Sequence, residues 1–288
     1  MSNQPSNIKL TECPRDAMQG LHDFVPTEVK AEYINLFLQV GFDTIDFGSF
    51  VSHKAIPQMR DTAAVLAKLE MGNTKSNLLT IIANLRGAED AVQFDEIKYL
   101  GFPFSISETF QQRNTNSSIS ESFETIRKIN KLCRQHNKEL LVYLSMGFGN
   151  PYGDEWSPEI VEHWAAQMAD EGTHIISLAD TTGTSTPEKI RDIYPNLVSR
   201  FPGTEFGVHL HSTPATSLEK IHAAFDSGCK RFDSALKGFG GCPMAADDLT
   251  GNIATENVIS FLQSQNIELN LDMDKWNEAM AYSGKVFG

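Results

Sequence analysis

The feature that most constrains this chain is an alternation repeated from end to end: a short β-branched or apolar run, then a longer amphipathic one. Neighbouring strands that run in the same direction need a crossover between them, and a helix is the compact way to make it. The runs expected as strands are Ile8–Cys13, Thr44–Gly48, Leu78–Ala83, Phe104–Ser107, Glu139–Ser145, His174–Ala179, Glu205–His211 and Arg231–Leu236. Helical spacing is expected over Thr27–Val40, Pro57–Glu70, Ser120–His136, Pro158–Glu171, Pro187–Arg200 and Pro214–Ser227. Start signals support several of these helices: Thr27 with Lys30, Ser157-Pro158, Thr186-Pro187 and Thr213-Pro214.

Eight such pairs predict an α/β fold, a TIM (β/α)8 barrel, as one catalytic domain. The barrel is expected over about residues 8–265 and a short C-terminal helical extension over about 266–288, with a helical run near Asp274–Ser283. An open doubly wound sheet shares the alternation, but no GxGxxG follows the first strand, and the chemistry sits at several strand ends instead of one crevice. Twenty-four Lys and Arg against 37 Asp and Glu leave a formal net charge of −13, a field that repels nucleic acid. Residues 1–16 show no cationic flank with an apolar run, and nowhere are there the roughly 20 apolar residues of a membrane span, so a cytoplasmic protein is expected. The four cysteines, Cys13, Cys133, Cys229 and Cys242, have no CxxC spacing and are expected as reduced thiols.

Chemistry-bearing residues gather at the C-terminal ends of the expected strands, where barrel active sites lie. His209-Leu210-His211 would put two imidazoles on one face of a strand, half of a metal site or a histidine pair without a ligand. Arg15-Asp16 follows the first strand: Asp16 offers a hard oxygen ligand and Arg15 a permanently charged donor fork suited to an enolate oxygen, unless the two are an ordinary ion pair in a turn. Gly238-Phe239-Gly240-Gly241-Cys242-Pro243 reads as a flap whose thiol, Cys242, could move a proton, or as a structural turn. Asn252 offers an amide oxygen to a metal or serves a turn. Asp46 and Asp180 stand at two further strand ends, and helix capping is the strongest competing role for Asp180.

Together these segments resemble the hydroxymethylglutaryl-CoA lyase family, within the metal-dependent barrel lyases and aldolases that include isopropylmalate and citramalate synthases. The resemblance runs through Glu12 to Gln19, Gly48-Ser49-Phe50-Val51-Ser52 with Ile56-Pro57-Gln58-Met59, Ile176 to Thr181, His209-Leu210-His211, and Gly240-Gly241-Cys242-Pro243 with Thr250-Gly251-Asn252. It implies Asp16, His209, His211 and Asn252 as ligands of Mg²⁺ or Mn²⁺, Arg15 as enolate stabiliser and Cys242 in proton transfer. It also implies an acyl-CoA substrate, a retro-Claisen cleavage with Asp180 or His209 taking the hydroxyl proton, and a homodimer.

This sequence departs from that pattern in four places. Asp46 stands where a longer glutamate is usual, Ser212-Thr213 where Asp-Thr is usual, Cys13 where a small residue is usual, and the stretch from Cys242 to Asn252 is one residue longer. A condensing synthase or aldolase on another acyl-CoA or 2-oxo acid is the rival enzyme reading. A metal- or CoA-binding barrel without turnover is the rival outside catalysis.

Overall fold

The computed structural model describes residues 7–241 and 250–288. Its centre is a closed barrel of eight parallel strands in sequential order: β1 (Lys9–Glu12), β2 (Thr44–Ser49), β3 (Asn77–Ile81), β4 (Ile97–Ser105), β5 (Glu139–Ser145), β6 (Ile175–Ala179), β7 (Glu205–His209) and β8 (Arg231–Ser234). β8 pairs back onto β1, with Thr11 opposite Asp233, and closes the ring. Around it run α1 (Pro14–Gln19), α2 (Thr27–Val40), α3 (Thr62–Leu66), α4 (Leu85–Ala91), α5 (Glu108–Thr115), α6 (Ile119–Gln135), α7 (Pro158–Asp170), α8 (Pro187–Arg200), α9 (Ser217–Asp226), α10 (Thr255–Ser264) and α11 (Met273–Phe287). The α/β barrel expected from the alternation is the observed architecture. No helix among the described residues is long and apolar enough to cross a membrane.

The main core fills the annulus between strands and helices, where Phe37, Phe42, Ile45, Leu78, Phe102, Phe104, Val142, Leu178 and Leu197 are buried. A smaller set, Leu79, Ile81, Tyr99, Leu141, Tyr143, Ile175 and Ala179, fills the barrel itself. Strand side chains alternate between these two spaces, which is why most strands here are apolar on both faces. Helix starts are fixed locally: Ser157 and Thr186 accept from the backbone N–H three residues on, each ahead of a proline, as their spacing predicts. α11 closes the chain against α2, where Tyr33, Phe37 and Phe42 meet Tyr282 and Trp276.

Several boundaries differ from the sequence reading, each for a tertiary reason. The fourth strand, expected at Phe104–Ser107, runs instead over Ile97–Ser105, because Gly101 and Pro103 sit in register opposite Leu141 and Tyr143 and carry the ladder through. Gly101 is there for space: a Cβ would come 2.6 Å from Ile81 Cδ1. The helix expected over Pro57–Glu70 survives only as a 3₁₀ turn at Pro57–Met59 and the short α3. Its polar groups serve other elements: the Gln58 carbonyl and Asp61 accept from Lys30 Nζ, and Thr62 Oγ1 accepts the Ser49 N–H. The helix expected from Pro214 starts at Ser217, because Thr213 and Thr216 bond to each other in a preceding turn. Thr27 does not cap α2; its hydroxyl donates to Asp61.

At the N-terminal end of the barrel Arg231, fully buried, donates Nε to Glu205 at 2.6 Å and lies with its guanidinium over the Tyr99 ring. Its aliphatic stem occupies the space a side chain at Gly207 would need, with Cγ and Cδ both 2.9 Å from the position of a Cβ there. Gly207→Ala is therefore expected to lower stability by about 1–3 kcal/mol, the cost of overpacking a filled interior. Urea denaturation of the two proteins measures it, and an unchanged midpoint would mean that Arg231 has room to withdraw.

Candidate metal centre

The site is built where β1 turns directly into α1. Pro14 opens that helix, so Arg15 and Asp16 lie in its first turn and face the barrel mouth, both nearly buried. Arg15 grips Asp46 on β2 in two-pronged fashion, Nη2 to Oδ2 at 2.6 Å and Nε to Oδ2 at 3.0 Å. Its other terminal nitrogen, Nη1, donates to Asp16 Oδ1 at 3.0 Å and to Gln19 Oε1 at 2.8 Å. Asp46 is thus the partner of Arg15. Burial pushes its carboxyl up to about 6 even with the guanidinium holding it down.

Across the mouth, β7 ends at His209, and His211 begins a separate two-residue strand, His211–Ser212, antiparallel to Gly251–Asn252. The single strand Glu205–His211 expected from sequence is therefore broken at Leu210, yet the two rings still meet, centroids 5.3 Å apart. Asp16, His209 and His211 each offer an atom within 4.8 Å of the others, a group that could hold a metal ion. Burial opposes ionisation of Asp16, but Arg15 and the two imidazoles outweigh it and hold its carboxyl below the usual range. His209 is raised: burial lowers it, and Asp233 and Asp16 more than compensate. Burial, with His209 beside it, pushes His211 down to about 4, which keeps its ring neutral as a ligand must be.

Two observations show that this set suits a divalent cation. His211 Nδ1 rests 3.2 Å from the Thr181 carbonyl, while its Nε2 is buried with no hydrogen-bond partner among the described residues, so its lone pair faces the group. Among the described residues the mouth also gathers four buried carboxylates, Asp16, Asp46, Asp180 and Asp233, against two buried cations, Arg15 and Lys220. A carboxylate and two imidazoles form a mixed oxygen and nitrogen donor set that first-row divalent ions accept.

Asn252 sits beside this set with its amide nitrogen 2.6 Å from Asp16 Oδ2 and 2.9 Å from the Phe239 carbonyl. The nitrogen faces Asp16, opposite to the expectation of an amide oxygen aimed at a metal. Asp180 does not cap a helix, since Thr186 caps α8. Its carboxylate takes the Ser185 N–H and hydroxyl and, at 2.9 Å, Lys220 Nζ. Cys242 and Pro243 lie outside the described residues. The glycines that precede them press on the ligand turn: Gly240 has φ +88°, and a Cβ there would lie 2.6 Å from the Asp16 carbonyl oxygen.

Three residues at this end of the barrel escaped the sequence reading. Lys220, on the buried side of α9, also donates to the carbonyls of His211 and Gly183, and its place three residues after Ser217 was the available signal. Asp233 follows Arg231 by two in β8, the period of one strand face. Glu12 points outward, accepting from the Leu236 N–H and the Thr255 hydroxyl, and so ties β1 to the start of α10. Burial pushes its carboxyl up to about 8, although Thr255 and Leu236 oppose that. The folded protein thus holds a proton that the unfolded chain, with a carboxyl near 4.5, releases between those two values. Stability is expected to fall as pH rises through that window, and Glu12→Gln is expected to flatten the fall. Thermal midpoints of both proteins between about pH 5 and 8 give the two slopes, and equal slopes would count against Glu12.

Comparison with known proteins agrees with this geometry. A family model described as HMGL-like matches residues 8–282. The chain is 32% identical to a cytoplasmic 3-hydroxy-3-methylglutaryl-CoA lyase of Rattus norvegicus over 97% of this chain and 81% of that one. It is also 32% identical to a hydroxymethylglutaryl-CoA lyase of Bacillus subtilis, over 99% and 94% of the two chains. Among solved structures it superposes on an HMG-CoA lyase from Acinetobacter baumannii, in complex with coenzyme A and 3-methylmalate, with a TM-score of 0.90. That match has 30% identity and covers 97% of this chain and 90% of the other. With strand order, mouth chemistry and end-to-end similarity in agreement, this chain belongs to the HMGL-like family.

Proposed function

We propose that this protein is a carbon–carbon lyase that cleaves 3-hydroxy-3-methylglutaryl-CoA to acetoacetate and acetyl-CoA. The observation that carries the reading is the meeting of Asp16, His209 and His211 beside the Arg15–Asp46 pair, in a chain similar throughout to relatives named for that activity. The coenzyme A in the Acinetobacter baumannii structure supports an acyl-CoA ligand. Mg²⁺ or Mn²⁺ would be held by Asp16, His209 and His211, with Asn252 as a fourth donor once its amide turns its oxygen inward. When bound, such a cation polarises the substrate's hydroxyl and carboxyl oxygens and makes the hydroxyl proton easier to remove.

This chain's residues then divide the work. Asp180 or His209 takes the hydroxyl proton, and the oxygen's electrons form the ketone of acetoacetate as the neighbouring C–C bond breaks. The bonding pair passes to the thioester as an enolate, whose oxygen meets the Arg15 guanidinium. Arg15 suits that role because Asp46, Asp16 and Gln19 hold its plane still, so no reorganisation is needed when charge develops. A proton from Cys242 or water completes acetyl-CoA. Asp46 acts by orienting Arg15.

Incubation with hydroxymethylglutaryl-CoA and Mg²⁺ or Mn²⁺ is expected to release acetoacetate and acetyl-CoA in equal amounts, and EDTA to stop it. Turnover in metal-free buffer would sink the metal role, and no turnover by folded, metal-loaded protein would sink this substrate. Arg15→Gln is expected to lower kcat by roughly 10² to 10³, the range for losing one preorganised donor. A near-normal kcat in that variant would remove Arg15 from the chemistry.

A further inference from the structure

β8 carries charge on the face that lines the barrel: Arg231 and Asp233 point inward, while Phe232 joins the core under the helices. Arg231 has its partner in Glu205 at the far end of the barrel. Asp233 has no such bond: its side chain is fully buried, and neither carboxylate oxygen makes a hydrogen bond among the described residues. Such a group is costly unless something nearby answers it. Thr11 stands opposite it in the β1 ladder, and the Thr11 hydroxyl likewise makes no hydrogen bond among the described residues. On the other side the ladder pairs Asp233 with His209, whose Nδ1 lies 3.4 Å from Asp233 Oδ2. That is ion-pair range, and Nδ1 too is buried without a hydrogen bond among the described residues.

We infer that Asp233 is a positioning residue for the metal centre: it receives the Nδ1 proton of His209 and so fixes that ring with Nε2 left to bind the cation. His211 meets the same requirement by other means, its Nδ1 resting on the Thr181 carbonyl. Each imidazole then has one nitrogen anchored behind it and one in front, the arrangement that sets tautomer and orientation at histidine–metal sites. The inference rests on the reading above only in that Asp16, His209 and His211 hold a divalent cation. One consequence follows for the reaction. With both nitrogens committed, His209 has no lone pair for the substrate's proton.

Two measurements test this, neither of them turnover. The first is Mn²⁺ titration of metal-free wild type, Asp233→Asn and Asp233→Ala, with free Mn²⁺ followed by electron paramagnetic resonance and folding by circular dichroism. Affinity is expected to fall about 10- to 100-fold in the folded variants. The second is ¹⁵N NMR of the histidine rings in metal-free wild type, where His209 is expected as the Nδ1–H tautomer, so the test survives if both variants unfold. Folded variants that bind Mn²⁺ within about twofold of wild type, or a wild-type His209 protonated at Nε2 alone, would overturn the inference. A wild type that binds no Mn²⁺ would overturn it together with the metal reading. Weakened Mn²⁺ binding in the variants supports it even if hydroxymethylglutaryl-CoA is not cleaved.

Discussion

The two-pronged grip of Arg15 on Asp46 governs the arrangement of the barrel mouth. It joins the first turn of α1 to β2, and from that fixed guanidinium the third nitrogen orients Asp16 and Gln19. A lysine, with its single compact charge, could not hold three side chains in one plane. Asp16 then fixes where the histidines and Asn252 must meet it, so placing one ion pair places most of the site. The exposed ion pairs elsewhere, such as Arg200 with Glu162, carry no comparable consequence, because water competes for both partners.

Among the described residues the mouth holds more buried carboxylates than buried lysines and arginines. Such a surplus costs folding free energy and is kept where function needs it. The barrel can bear that cost because its apolar mass lies elsewhere, in the annulus between strands and helices. Lys220 and Ser185 absorb Asp180, Arg15 absorbs Asp46, and Asp16 and Asp233 are left facing the imidazoles. The polar interior is therefore partitioned: two carboxylates are neutralised within the protein and two are turned toward the histidines.

Much of this was legible in the sequence, and the parts that were not share a cause. Strand order and barrel closure follow from alternation, which each segment reports by itself. Thr27–Val40 and Pro187–Arg200 match their expected bounds because their ends are local events: a left-handed Gly41 closes the first and a Thr-Pro start opens the second. The fourth strand and the Pro57–Glu70 stretch were misread where neighbours override propensity, Gly101 making room for Ile81 and Lys30 drawing off Gln58 and Asp61. Arg15, Asp16 and the histidine pair could be recognised because strand ends concentrate chemistry in a barrel. Lys220, Asp233 and Glu12 could not, because their meaning lies in partners 40, 24 and 243 residues away.

The short antiparallel ladder of His211–Ser212 with Gly251–Asn252 sets Asn252 directly opposite His211, outside the barrel's own hydrogen bonding. Backbone groups alone make that pairing, so it holds positions 211 and 252 face to face whatever side chains they carry. The donor set of the mouth can therefore be altered one side chain at a time while the separation of its two ends stays as the main chain sets it.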